Sequence, residues 1–332
     1  MRYLAQAIAS LGECREPRLE LIIVDDGSTD ATGEIIERGR RLDERIVALT
    51  QPASGIAAAL ERARRQARAP LLARLDSDDL AYPNRFQLQL ERFLADPDLL
   101  LLGSAVDKID EAGRIVGSIH YPGEPDELQQ ELRRRNVFVH SSVMMRHSVV
   151  QRVGGYRGFF LAAEDYDLWL RIAEQGKVAN LPDRLGGHRV HAASTTARHA
   201  FRQAFSAALA RTCAVARCRH SPDPANGLER PIDIEGESWP RAFNDEVRLY
   251  RGLAFADPAA FVKRRPTIDD VRRLLARGLP PVERKLAQAA LAGILRHNAV
   301  PQPFSRLHIA TALLAMGAWR AARLLLQRDQ PS

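Results

Sequence analysis

Residues 19–28 read Leu-Glu-Leu-Ile-Ile-Val-Asp-Asp-Gly-Ser, a nearly continuous apolar run that stops abruptly at two acids, a glycine and a serine. Apolar side chains at successive positions point to both faces of a strand, so this strand is expected to be buried on both sides, as in the parallel sheets of α/β proteins. Its carboxyl end then carries Asp25 and Asp26. A helix follows, with Asp30 as N-cap and Ile35, Ile36 and Leu42 on its buried side. After a short strand over 45–50 and a helix over 55–68, Pro70 to Leu75 forms a second buried strand. It too ends in acids: Asp76, Ser77, Asp78, Asp79. Alternating strands and helices predict right-handed βαβ units, hence an α/β, mostly parallel sheet flanked by helices. Ligands bind such sheets at the carboxyl ends of the strands, which places both acidic clusters on one rim.

Working outward, Pro83 opens a helix whose apolar face is Phe86, Leu90, Phe93 and Leu94. Residues 99–119 read as two strands around the turn Asp110 to Gly113, followed by a helix over 126–135 and a strand over 137–145. A helix over 163–175 carries Tyr166, Trp169, Leu170 and Ala173 on one face, a spacing that marks Tyr166 and Trp169 as core, and Gly176 stops it. Beyond about residue 195 the pattern changes to arginine-rich helices near 196–218, 241–255, 267–277, 283–297 and 304–327, with Pro- and Gly-rich loops between them. Two regions are therefore expected: 1–195, and an α-helical region over 196–332.

Of the 332 residues, 45% are hydrophobic and 27% charged, the balance of a soluble globular chain rather than a disordered or fibrous one. The longest apolar stretch, near 98–106, is far short of the ~20 residues that span a bilayer. Residues 1–11 lack the apolar core of a signal peptide. Cys14, Cys213 and Cys218 form no C-x-x-C pair and are expected as reduced thiols; with His220 they fall short of a structural zinc set. These features predict a cytoplasmic protein. The formal net charge is +7, and all basic residues but Lys108, Lys177, Lys263 and Lys285 are arginine. Arginine forks suit phosphates, which permits a nucleotide, a nucleic acid or an anionic membrane as partner. Without aromatic-and-basic RNA motifs or a recognition helix, no nucleic-acid partner is expected.

Three motifs then stand in order: Val24-Asp25-Asp26-Gly27-Ser28-Thr29-Asp30, Leu75-Asp76-Ser77-Asp78-Asp79, and Ala163-Glu164-Asp165-Tyr166-Asp167-Leu168-Trp169-Leu170-Arg171. Together they resemble the family 2 glycosyltransferases of the GT-A fold over roughly residues 1–195. The resemblance extends to Gly103-Ser104-Ala105-Val106, His140-Ser141-Ser142-Val143 and Val153-Gly154-Gly155-Tyr156, which look like the family's bacterial members. It implies a GT-A, Rossmann-like sheet and a metal-dependent inverting transferase. The sugar would move from a nucleotide diphosphate sugar to a saccharide or lipid-linked acceptor hydroxyl, in synthesis of a bacterial surface polysaccharide or glycoconjugate. Asp76-Ser77-Asp78 would be the D-x-D element: Asp78 the ligand of Mn²⁺ or Mg²⁺, Asp76 nearer the ribose or behind the metal. Asp26 would contact the base, while Asp25 either joins it or only caps the turn. Asp165 would be the base that deprotonates the acceptor. His191, in His188-Arg189-Val190-His191, matches a segment that closes over the diphosphate, and an uninvolved surface histidine is an equal reading. Arg146 and His147 are further acceptor-side candidates. The basic helices after 195 suit peripheral contact with an anionic membrane at the inner face of the cell membrane.

One departure from the family is visible. Its members open with a further buried strand ending in a Pro-x-Tyr-Asn-like element, absent ahead of the helix that begins near Arg2. By the family's topology that strand lies between 19–26 and 70–76, so two strand edges are expected to stand unpaired, at ~1–3 kcal/mol for each unsatisfied buried backbone group. Two expectations follow: the true start lies upstream, or the chain is a truncated, inactive module that binds or scaffolds.

Overall fold

The computed structural model describes residues 3–14, 18–190, 195–234, 238–254, 266–275 and 281–296, with a few positions beyond them. In chain order the elements are α1 (Leu4–Glu13), β1 (Leu21–Asp25), α2 (Thr32–Leu42), β2 (Ile46–Thr50), α3 (Ile56–Gln66), β3 (Leu71–Ala73), β4 (Leu80–Ala81) and α4 (Arg85–Ala95). There follow β5 (Leu99–Ile109), β6 (Ile115–Ile119), α5 (Pro125–Leu132), a 3-10 turn (His140–Ser142), β7 (Met144–Arg146), α6 (His147–Arg152), α7 (Glu164–Ala173), β8 (Lys177–Arg189) and α8 (Thr195–Cys218). The remaining helices are α9 (Asn244–Leu253), α10 (Ile268–Leu274) and α11 (Pro281–Arg296). The helix expected over 304–327 lies largely outside the described residues.

The α/β class and the flanking helices are as the sequence predicts, but the strand directions differ. β3, β7, β5, β8 and β4 lie side by side in that order, with β6 paired to β5. Among the described residues only β1/β2 and β5/β8 are parallel pairs; β3/β7, β5/β7, β4/β8 and β5/β6 are antiparallel. Short connections explain part of this. The tight turn at Asp110–Gly113 can only return the chain antiparallel, whereas a parallel neighbour needs a long crossover, as between β5 and β8.

The strand buried on both faces is β5, where Leu99, Leu101 and Leu102 are fully buried. In β1, Ile22, Ile23 and Val24 are only half-buried, because β2 is its one hydrogen-bonded neighbour strand among the described residues. The position expected to lack a strand coincides with a division in the structure: β1 belongs to the two-stranded sheet and β3 to the six-stranded one. Arg45 closes the end of α1, its Nη1 donating to the Cys14 carbonyl (2.7 Å) and its Nη2 to that of Leu11 (3.1 Å), two of the acceptors that a helix C-terminus leaves open.

The chain forms two compact units, Met1–Pro231 and Ile232–Ser332. The first therefore includes α8, which the sequence reading assigned to the helical region. Ser206 Oγ on α8 donates to the Leu161 carbonyl (2.8 Å), and Arg217 makes an ion pair with Glu174 (2.8 Å). In the second unit a capping box of Thr267 and Asp270 starts α10, and the Tyr250 hydroxyl donates to Glu283 Oε1 (2.9 Å).

Candidate active site

The first acidic cluster is built by the turn that ends β3. Asp79 N–H donates to the Asp76 carbonyl (3.2 Å) to close it. Ser141, on the 3-10 turn, accepts from Asp76 N–H and donates to Asp76 Oδ2, both at 2.9 Å, while the Arg74 guanidinium pairs with Asp76 Oδ1. Burial opposes the charge on half-buried Asp76. Arg74, the neighbouring His140 and the Ser141 hydroxyl outweigh it and hold the carboxyl down at about 2.

Asp79 is buried and faces the protein, where Arg189 N–H (2.7 Å) and His188 Nδ1 (3.1 Å) meet its two oxygens. The hydrogen bond that the His188 ring makes to the Asp79 carboxylate raises the His188 pKa against the opposing effect of burial. Arg189 is buried too. Its Nε donates to the Asp78 carbonyl (2.7 Å), Nη1 to the carbonyls of Asp110 (2.9 Å) and Glu111 (3.4 Å), and Nη2 to Gln6 Oε1 (2.9 Å). The segment that was expected to close over a diphosphate thus turns Arg189 inward, and its main chain anchors the turn bearing Asp78. His191 lies outside the described residues.

Asp25 and Asp26 end β1. Asp25 Oδ1 accepts from Ser28 N–H (2.9 Å), which makes it the cap of its own turn. Asp26 reaches the loop before α3: Oδ1 accepts from Gln51 Nε2 (2.7 Å) and Ser54 N–H (2.8 Å), Oδ2 from Gly55 N–H (2.8 Å). Slight burial works against its charge, and the three hydrogen bonds outweigh it and lower its pKa. A carboxylate offers about four acceptor positions, so capacity remains for a base or ribose donor. Gly27 is required here: its φ is +80°, and a Cβ would stand 2.7 Å from Ala53 N.

The third cluster opens α7. Asp165 accepts from Asn136 Nδ2 at Oδ2 (3.0 Å) and from Tyr166 N–H at Oδ1 (2.6 Å). Glu164 is 5% exposed, and its Oε2 is buried without a hydrogen-bond partner. Burial, then the charges of Asp165 and Asp76, push its pKa up to about 8, with Arg74 opposing. Glu164 thus feels the charges of Asp165, Asp76 and Arg74 together. Sequence reading named Glu164 only as a helix opener; in sequence it looks like any first-turn acid, and only its burial distinguishes it. Asp167, three residues on, is structural, fully buried between Arg157 and Arg171. Trp169 and Tyr166 are core, as their spacing predicts. His140 lies between the clusters, its ring against Trp169 (5.9 Å) and its Nε2 3.2 Å from the Tyr156 hydroxyl. Burial first, then Arg74, lower its pKa, which favours the neutral ring. Arg146, read from sequence as an acceptor-side candidate, is engaged with main chain. Its guanidinium serves the carbonyls of Leu99 (2.8 Å), Phe93 (3.3 Å) and Asp96 (3.4 Å).

Among the described residues no three His, Cys, Asp or Glu side chains converge as a metal cage. The donor set instead suits a hard cation held by one or two carboxylates and completed by substrate phosphates, the usual arrangement for Mg²⁺.

An α/β unit with carboxylates gathered at strand and helix ends is the architecture of a GT-A transferase, and a solved structure agrees on the fold. The mannosyltransferase PcManGT from Pyrobaculum calidifontis, determined with GDP-Man and Mn²⁺, superposes with a TM-score of 0.50 at 18% identity, covering 99% of this chain and 84% of that one. The sequence model described as glycosyl transferase family 2 matches residues 2–154. The O-antigen biosynthesis glycosyltransferase WbnJ of Escherichia coli is 30% identical over 178 residues, 53% of this chain and 69% of its own. The amylovoran biosynthesis glycosyltransferase AmsE of Erwinia amylovora is 32% identical over 184 residues, 55% of this chain and 68% of its own. The chain belongs to the family 2 glycosyltransferases.

Proposed function

We propose that this glycosyltransferase is a metal-dependent, inverting enzyme that moves a sugar from a nucleotide diphosphate sugar to a hydroxyl of a saccharide or lipid-linked acceptor. The product would be a bacterial surface polysaccharide or glycoconjugate, a reading supported by the roles named for WbnJ and AmsE. The observation that supports it is that the charges of Asp76, at the end of β3, and of Asp165, at the start of α7, both act on buried Glu164. Asp165 takes the proton of the acceptor hydroxyl as that oxygen attacks the anomeric carbon. The bond from that carbon to the phosphate oxygen breaks, its electron pair leaves with the diphosphate, and attack from the opposite face inverts the configuration. Mn²⁺ or Mg²⁺ on Asp78, with Asp76 beside it and His191 as a further candidate, would offset the charge that grows on the diphosphate. Asn136 orients the Asp165 carboxylate, and Asp26 stands ready for the base.

Calorimetry with UDP or GDP, with and without Mn²⁺, together with hydrolysis of a panel of nucleotide sugars, tests this. D78A is expected to lose the metal-dependent part of nucleotide affinity. D165N should keep that affinity and lose turnover by about 10²–10⁴-fold, the usual contribution of a general base. D165N turning over like the parent would remove Asp165 from its role. Metal-dependent binding with no hydrolysis of any donor would favour the binding or scaffold module instead.

A further inference from the structure

Helix α5 ends at Leu132 and is followed by Arg133, Arg134 and Arg135, all three exposed, and then by Asn136. Asn136 Nδ2 donates to Asp165 Oδ2 at 3.0 Å, and its Oδ1 accepts from Phe138 N–H (3.1 Å), so the amide is fixed from both sides. Asn180 of β8 ties a second segment to the same place: its Nδ2 donates to the carbonyls of Pro122 (3.2 Å) and Val137 (3.0 Å). Tyr121, directly ahead of Pro122, thereby comes beside the arginine run, and the Arg135 guanidinium lies over its ring, 5.7 Å from the centroid. Burial raises the Tyr121 pKa, Arg135 lowers it and Asp165 raises it, so the phenol feels the arginine and the Asp165 carboxylate together.

Structural needs account for only part of this charge. Among the described residues Glu131 is the carboxylate that pairs with the run, meeting Arg134 (3.5 Å) and Arg135 (3.0 Å), and no side-chain hydrogen bond or ion pair involves Arg133. A helix C-terminus favours a nearby cation, but a single one serves, and exposed pairs such as these add little stability. The run therefore carries an excess of accessible positive charge directly before the residue that orients Asp165. Planar guanidiniums match phosphate oxygens two at a time, which makes them suited to a phosphate rather than to a neutral sugar. We propose that Arg133 and Arg135 bind a phosphate or diphosphate group carried by the acceptor and hold it while the acceptor's sugar hydroxyl meets Asp165. This rests on the reading of Asp165 as the base and narrows the acceptor to an anionic one. Tyr121 is a positioning residue: its ring holds the Arg135 fork in place, so less side-chain freedom is lost when the anion binds.

The test uses the full chain as parent, R133Q/R135Q, Y121A, Y121F and D165N. The probes are matched acceptors: octyl glycosides of glucose, galactose and N-acetylglucosamine, and the same sugars as octyl diphosphates. Calorimetry with UDP or GDP and Mn²⁺ present reads their binding whether or not transfer occurs, and acceptor KM is read where it does. The parent is expected to bind a diphosphate acceptor about tenfold or more tighter than its neutral counterpart, the scale of charge-assisted hydrogen bonds. That advantage should shrink as salt is raised, because the arginines are exposed. R133Q/R135Q should lose the advantage while its affinity for the free nucleotide and for the neutral glycoside, and its melting temperature, stay with the parent's. Y121A should lose part of the advantage and Y121F none of it. A purely structural role would instead lower the melting temperature or weaken both kinds of acceptor alike.

A parent that binds diphosphate and neutral acceptors alike for all three sugars overturns the proposal, as does R133Q/R135Q with the preference intact. Weakened binding of the free nucleotide in R133Q/R135Q overturns it by moving the arginines to the donor's diphosphate. Lost flotation with vesicles of phosphatidylcholine and phosphatidylglycerol, with the acceptor preference kept, overturns it by moving them to a membrane surface. D165N separates this proposal from the reading beneath it. If D165N turns over like the parent, the base assignment falls, while the diphosphate preference is still decided by binding. A parent that keeps the preference but hydrolyses no nucleotide sugar removes the transferase reading and leaves the anion site standing.

Discussion

At the end of β8 the guanidinium of Arg189 serves the carbonyls of Asp78, Asp110 and Glu111 and the Gln6 side chain, and stacks 4.4 Å over the Tyr3 ring. Arg189 is buried, and removing it takes a charged donor from four acceptors at once, so R189M is expected to lower stability by on the order of 3 kcal/mol in urea unfolding. A lysine cannot span the same acceptors, and R189K should recover only part of the loss. Glu164 gives a pH signature. Unfolded, it releases its proton near the ordinary glutamate value of 4.5; folded, it keeps the proton to about 8. The native state therefore binds more protons across that window, and its stability falls as pH rises through it. In E164Q the melting temperature should decline less between pH 5 and pH 8 than in the parent; an identical decline in both would exclude Glu164 as its source.

At the scale of elements, α7 and α8 are joined by a chain of charges. Asp167 lies between Arg157 and Arg171, Arg157 also reaches Asp223 (3.0 Å), and Arg217 on α8 holds both Asp223 and Glu174 (2.8 Å). Truncating the central acid takes the carboxylate from buried Arg171 and from half-buried Arg157, which keeps Asp223. D167A should destabilise by about 3–5 kcal/mol, measured by thermal or urea unfolding, as for other broken buried pairs. The Asp167–Arg171 half of this pairing is legible in sequence as an i,i+4 pair on a helix. The halves contributed by Arg157 and Asp223 are not, because they come from loops remote in sequence. For the same reason Ser141 could be quoted from a motif without its hydrogen bonds to Asp76 being foreseen. The bonds of the Arg146 guanidinium to the carbonyls of Leu99, Phe93 and Asp96 were likewise not legible in sequence.

For the molecule as a whole, the extent of the first unit decides how much chain the transferase needs. Phe205 and Leu209 of α8 are buried within it, and each such side chain stabilises by ~1.5–3 kcal/mol. A chain ending at residue 231 is therefore expected to keep Mn²⁺-dependent nucleotide binding, whereas one ending at 195 should lose about 3–6 kcal/mol from these two side chains alone. Comparing the two by unfolding and calorimetry checks it, and equal stability would return the boundary to 195. Among the described residues no helix is long and apolar enough to cross a membrane.

The sequence by itself determined the α/β class, the run of elements from β1 to α5 apart from β4, the helix α7, the acids at the ends of β1 and β3 and at the start of α7, and the core roles of Tyr166 and Trp169, but not the long strand β8. These follow from periodicity and from chain ends that local chemistry enforces. Tertiary structure alone decided that most strand pairs are antiparallel, that β5 rather than β1 is buried on both faces, and that Arg189 points inward. It also separated the acids of α7 into a hydrogen-bonded Asp165, an ion-paired Asp167 and a buried, unpartnered Glu164. Strand direction, burial and the state of a carboxyl depend on which distant residues come to lie beside it, and spacing along the chain does not carry that information.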